Sequence, residues 1–177
     1  MNYIFSLTLC NELTFISSSP MITVKIDVEP YVAEYIQGRY MDEESGVVRF
    51  PSGSDIYHLI YDLAAKRPAE NPIDSGNLEF ALPSPRKGKD PEIYNYLSHR
   101  SAKLLEKRLR SLMWADLHET MDEGKHLSGM QFKDIVYVFM QRYGIESISE
   151  DGLLKNYQRW RDKLRRSKKR GYNRKNG

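Results

Sequence analysis

From Ile93 to Met121, apolar residues recur at spacings of three, four and seven: Ile93, Leu97, Leu104, Leu105, Leu109, Leu112, Met113, Leu117 and Met121. Helical side chains return to the same face every three or four residues, so this run predicts one long amphipathic helix over about 91–123. Asp90 serves as its N-cap and Pro91 as its first residue, and "GKHLSG" breaks it. A helix this long with one apolar stripe needs other elements packed along it.

Those elements are legible upstream. "ITVKIDV" (22–28) alternates apolar and polar residues and reads as a half-buried strand. Pro30 opens a helix carrying Val32, Tyr35, Ile36 and Tyr40. "VVRF" (47–50) reads as a short strand stopped by Pro51. Ser52 or Ser54 caps a helix with Ile56, Leu59, Ile60 and Leu63 on one face, which ends before Pro68. "NLEFALP" (77–83) reads as a third strand. The expected fold is α+β: a small N-terminal three-stranded sheet with two helices, then a helical C-terminal module. That module continues with a helix over 130–144, stopped at Gly144, and a last helix capped by Ser149. The expected division is 1–20 as a leader or mis-assigned start with little structure, 21–89 as a small α/β module, 90–166 as the helical module and 167–177 as a flexible basic tail.

The charge is distributed unevenly. Residues 155–177 hold eleven Lys or Arg and one acid, Asp162, for a net of +10; the whole chain is only +3. Residues 1–154 are therefore net −7, and such asymmetry points to a polyanion partner for the basic end. On a helix, Leu153, Tyr157, Trp160 and Leu164 fall on one stripe, and Lys155, Gln158, Arg159, Asp162 and Arg166 fall opposite. One side docks on a core and the other shows cations to solvent. Two helices joined by a glycine turn, the second basic, make a helix-turn-helix arrangement, although "IESIS" lengthens the turn. Asn156, Gln158 and Arg159 have base-reading chemistry. Lys155, Arg161, Lys163, Arg165, Arg166, Lys168, Lys169 and Arg170 suit phosphates. The helix macrodipole favours cations near a C-terminus, but that preference accounts for two or three of them, not eleven.

The stretch "QRYGIESISEDGLLKNYQRWRDKLRRSKKR" resembles small helix-turn-helix DNA-binding proteins of bacterial prophages and conjugative elements. The resemblance implies a cytoplasmic DNA-binding regulator or accessory factor. No catalytic residue comes with it. Double-stranded DNA is the expected partner, with a homodimer through the acidic first module or the long helix.

Enzyme signatures are sparse. "HETMD" (118–122) falls one residue short of the H-E-x-x-H zinc pattern, because Asp122 stands where the second His belongs. The chain lacks a phosphate-binding glycine loop and a G-x-S-x-G elbow. The single cysteine, Cys10, excludes an internal disulfide and a Cys-based zinc site. The sequence therefore calls for no cofactor, no metal and no catalytic residue. A divergent metal-dependent nuclease or recombinase is the competing enzyme class, and an interaction module with a solvated basic tail is the third reading. "PRKGKD" (85–90) offers a second phosphate contact. No stretch is apolar for long enough to span a membrane.

Overall fold

The structure, a computed structural model, describes residues 21–70, 74–83 and 88–173, with side chains as far as Ser167. The leader expected over 1–20 lies outside these residues. The order is β1 (Thr23–Ile26), α1 (Pro30–Tyr40), α2 (Asp55–Leu63), β2 (Leu78–Ala81), α3 (His99–His126), α4 (Phe132–Tyr143) and α5 (Glu150–Asn173). Among the described residues, no helix is long and apolar enough to cross a membrane.

The α+β class holds, but the three-stranded sheet is corrected. The sheet has two antiparallel strands, with Thr23 opposite Ala81 and Ile26 opposite Leu78. The 47–50 segment contributes only isolated bridges at Val48. Its groups are divided between two neighbours. Arg49 N–H donates to Tyr40 C=O at 2.9 Å and Asp42 N–H to Val47 C=O at 3.1 Å, so the end of α1 takes one edge. A single bond from Ala81 N–H to Val48 C=O, at 2.9 Å, is left for β2. Four residues ended by a proline cannot build a ladder on both sides.

The long helix also starts later than its periodicity suggested. Asp90 accepts from Glu92 N–H through its side chain at 2.9 Å and from Tyr94 N–H through its carbonyl at 2.8 Å, closing a turn. Tyr96 and Ala65 then exchange backbone hydrogen bonds at 2.9 and 3.2 Å, which holds this stretch extended. Ser98 is the actual N-cap and accepts from Ser101 N–H at 3.2 Å. Ser54 caps α2 in the same way, through Tyr57 N–H.

One continuous core joins both halves of the chain. Val24, Ile26, Leu78 and Phe80 of the sheet meet Val32, Tyr35 and Ile36 of α1 and Ile56 and Ile60 of α2. The cluster continues into Leu105, Leu109, Met113, Leu117 and Met121 of α3, Ile135, Val136 and Phe139 of α4, and Leu153 and Tyr157 of α5. Large apolar side chains at these positions each contribute about 1.5–3 kcal/mol when fully buried.

Candidate nucleic-acid interface

Helix α5 begins where the sequence places it. Gly144 takes the left-handed conformation at φ 64°, which glycine adopts without a Cβ clash, and ends α4. Ser149 Oγ accepts from Gly152 N–H at 3.2 Å, and Glu150 and Asp151 occupy the positive end of the helix dipole. The connector 144–149 is longer than a strict helix-turn-helix turn.

Helix α5 packs along α4, with Tyr157 against Phe132 at 5.3 Å between ring centroids, and is fastened to α3 through His118 and Asp122, one turn apart. His118 stacks on Trp160 with ring centroids 4.3 Å apart, and its Nε2 lies 3.2 Å from Asn156 Oδ1. The Tyr157 hydroxyl donates a short hydrogen bond to Asp122 Oδ1. Burial pushes the His118 imidazole below its ordinary value, opposed by the Asn156 contact and the Asp122 charge. Burial, together with the Asp122 contact, pushes the Tyr157 hydroxyl up to about 12. The near-zinc motif "HETMD" is thus occupied by the joint between α3 and α5. Among the described residues, no three His, Cys, Asp or Glu side chains converge as a metal site.

The docked stripe fades along the helix. Leu153 and Tyr157 are fully buried, Trp160 is half-buried, and Leu164 is 43% exposed. Beyond Arg161, every described side chain from Asp162 to Ser167 is exposed. Among the described side chains, those that pack on the body fall in the first three turns of α5, and those from Asp162 to Ser167 stand out in solvent.

The sequence-derived candidates divide accordingly. Lys155, Gln158, Arg159, Lys163, Arg165 and Arg166 are exposed, and Arg165 lies 3.7 Å from Asp162. Lys155, Arg159 and Arg166 share the outward face. Asn156 is half-buried and committed to His118. Arg161 is half-buried, its guanidinium stacked over Phe132 at 5.4 Å and Tyr157 at 5.5 Å. The side chains of Lys168, Lys169 and Arg170 lie outside those described, and the helix backbone continues through them to Asn173.

Two contacts elsewhere in the fold, one of them on the connector before α5, had no sequence signal. Glu34 of α1 accepts three hydrogen bonds in the connector between α4 and α5. In "PRKGKD", residues 85–87 lie outside the described set, and the Lys89 ammonium is already engaged. It donates to the carbonyls of Tyr61, Asp62 and Ala64, each at 2.9 Å, and so closes the C-terminal end of α2. Neither pairing has a period to betray it, since each joins residues distant in sequence. No family model, curated protein or solved structure matches this chain.

Proposed function

We propose that the protein binds double-stranded DNA, without catalysis, through the outward face and projecting end of α5, and acts in the cytoplasm as a regulator or accessory factor. The observation that carries this reading is the half-docked state of α5. A cationic helix packed on the body by its first turns, with every described side chain beyond them exposed, has the shape of a helix that enters a groove. Lys155, Arg159 and Arg166 supply phosphate neutralisation along one line, and Gln158 and Arg159 supply base-reading chemistry. The exposure of Leu164 favours a second reading, in which a protein partner covers the stripe.

The deciding experiment is fluorescence anisotropy of a short random duplex over a salt series. About six phosphate contacts give a slope of log K against log salt near −5, from about −0.9 per phosphate. Removing 168–177 takes away Lys168, Lys169, Arg170, Arg174 and Lys175. It should flatten the slope and weaken all sequences alike, because phosphate contacts carry no sequence code. Absence of binding at low salt, or binding indifferent to salt, would refute the proposal and leave the protein-partner reading.

A further inference from the structure

Glu34 lies on α1, more than a hundred residues upstream of the connector that aims α5. One oxygen, Glu34 Oε2, accepts from Glu146 N–H at 2.9 Å, Ser147 N–H at 3.0 Å and Ser147 Oγ–H at 2.9 Å. Bonds to an ionised carboxylate are the stronger kind. These two amides fall between α4 and α5, where no helical ladder holds them. Helix α1 is itself pinned against the end of α4. A Cβ at Gly38 would stand 2.3 Å from the Tyr143 carbonyl oxygen, so the two backbones touch where only glycine fits. The carboxylate therefore reaches the connector from a fixed base.

From this geometry we infer that Glu34 is a positioning residue for α5: it clamps the α4–α5 connector and so sets the direction in which the projecting helix leaves the body. The assignment rests on the nucleic-acid reading for its purpose, but not for its geometry. A helix that reads bases must be held within a fraction of an ångström, whereas a helix that only attracts phosphates tolerates wobble. Loss of the clamp should therefore reduce discrimination between sequences and leave the salt dependence intact.

Two measurements on the full chain test this. In amide hydrogen exchange, Glu34→Ala should speed exchange at Glu146 and Ser147 by about 10- to 100-fold, the loss expected for bonds to a charged acceptor. Phe139, inside α4, should be unchanged. Equal exchange at the two amides in wild type and variant overturns the clamp. In anisotropy, the probes are the duplex that the full chain enriches most from a random pool and a scrambled duplex. Glu34→Ala should lower the affinity ratio between them several-fold with the salt slope kept. Glu34→Gln, which retains a carbonyl acceptor, should recover most of the ratio. An unchanged ratio in Glu34→Ala overturns the positioning role. If wild type binds neither duplex while the amide result holds, the nucleic-acid reading fails and the clamp stands.

Discussion

The imidazole of His118 lies against the indole of Trp160, at 4.3 Å between ring centroids and 24° between planes. With the neighbouring Arg161, whose guanidinium lies over Phe132, this stack is where the docking of α5 gives way to exposed side chains, Leu164 being 43% exposed. Trp160 therefore sits at the hinge between the docked and free parts of the helix. Trp160→Ala should cost less than the 3–5 kcal/mol of a fully buried tryptophan, about 2 kcal/mol at half burial. The check is the urea midpoint together with near-ultraviolet circular dichroism. An unchanged midpoint would mean that the stack contributes nothing to docking.

His118 also makes the docking pH-dependent. Burial depresses its pKa below the ordinary 6.5, so the unfolded chain binds a proton more readily than the folded one. Stability from this group is full above 6.5 and is lost as pH falls through the window below it. Asp122, on the same helix, pulls the other way but does not reverse the direction. The thermal midpoint should fall further for wild type than for His118→Gln between about pH 7.5 and about pH 5.5. His58, His99 and His126 are present in both proteins and cancel. Equal falls would remove His118 as the source.

Asp116 of α3 ties three elements together. It accepts from the Tyr35 hydroxyl at 2.9 Å, the Tyr143 hydroxyl at 3.0 Å and Arg39 Nη1 at 2.7 Å. Its removal leaves the two phenols without this acceptor and the Arg39 guanidinium with the Tyr35 hydroxyl, at a partly buried site. Asp116→Ala should cost about 1.5–3 kcal/mol by denaturant titration, the range for hydrogen bonds to a charged group at a partly buried site. Asp116→Asn, which retains an acceptor, should cost less. A loss under about 1 kcal/mol would mean that water replaces the carboxylate.

Apart from the start of α3, helices were legible where a period or a local cap announced them. Pro30, Ser54, Gly144 and Ser149 begin or end α1, α2, α4 and α5 as the chain chemistry demands, because those signals act within four residues. The expected strand at 47–50 and the early start of α3 failed for one common reason. Val48 and Tyr96 are held by partners distant in the chain, and such pairing overrides local pattern. The outward cations of α5 were legible from helical angles alone. Asn156 was not, because polarity cannot say whether an amide faces water or a buried histidine. Nor could the stripe of Leu153, Tyr157, Trp160 and Leu164 reveal that the body ends partway along it.

Lys89 distinguishes a structural cation from a binding one. Three carbonyls at the end of α2 surround its ammonium at 2.9 Å, and its backbone N–H donates to the Tyr61 hydroxyl at 3.1 Å. Lys89→Ala should lower stability by about 1.5–3 kcal/mol and leave duplex affinity and salt slope unchanged. A variant of full stability with a flatter slope would reassign Lys89 to the phosphate-contacting set.

Arg159 and Arg161 stand two residues apart on α5, and the same substitution should separate them. Arg159 is exposed on the outward face, so its removal leaves the packing of the helix intact. Arg161 lies over the rings of Phe132 and Tyr157, and cation–π contacts of this kind contribute about 0.5–1 kcal/mol each at partly exposed sites. Its stem also covers apolar surface, which alanine would uncover. Arg159→Ala should therefore leave the urea midpoint unchanged and weaken duplex binding, relaxing preference at one position by roughly 1–3 kcal/mol if the guanidinium reads a base. Arg161→Ala should lower stability by about 1–2 kcal/mol and weaken every duplex alike, through loosened docking of α5. If Arg159→Ala destabilised the fold as much as Arg161→Ala, the outward face would not be outward. If neither substitution changed binding, the contact would have to lie elsewhere on the chain.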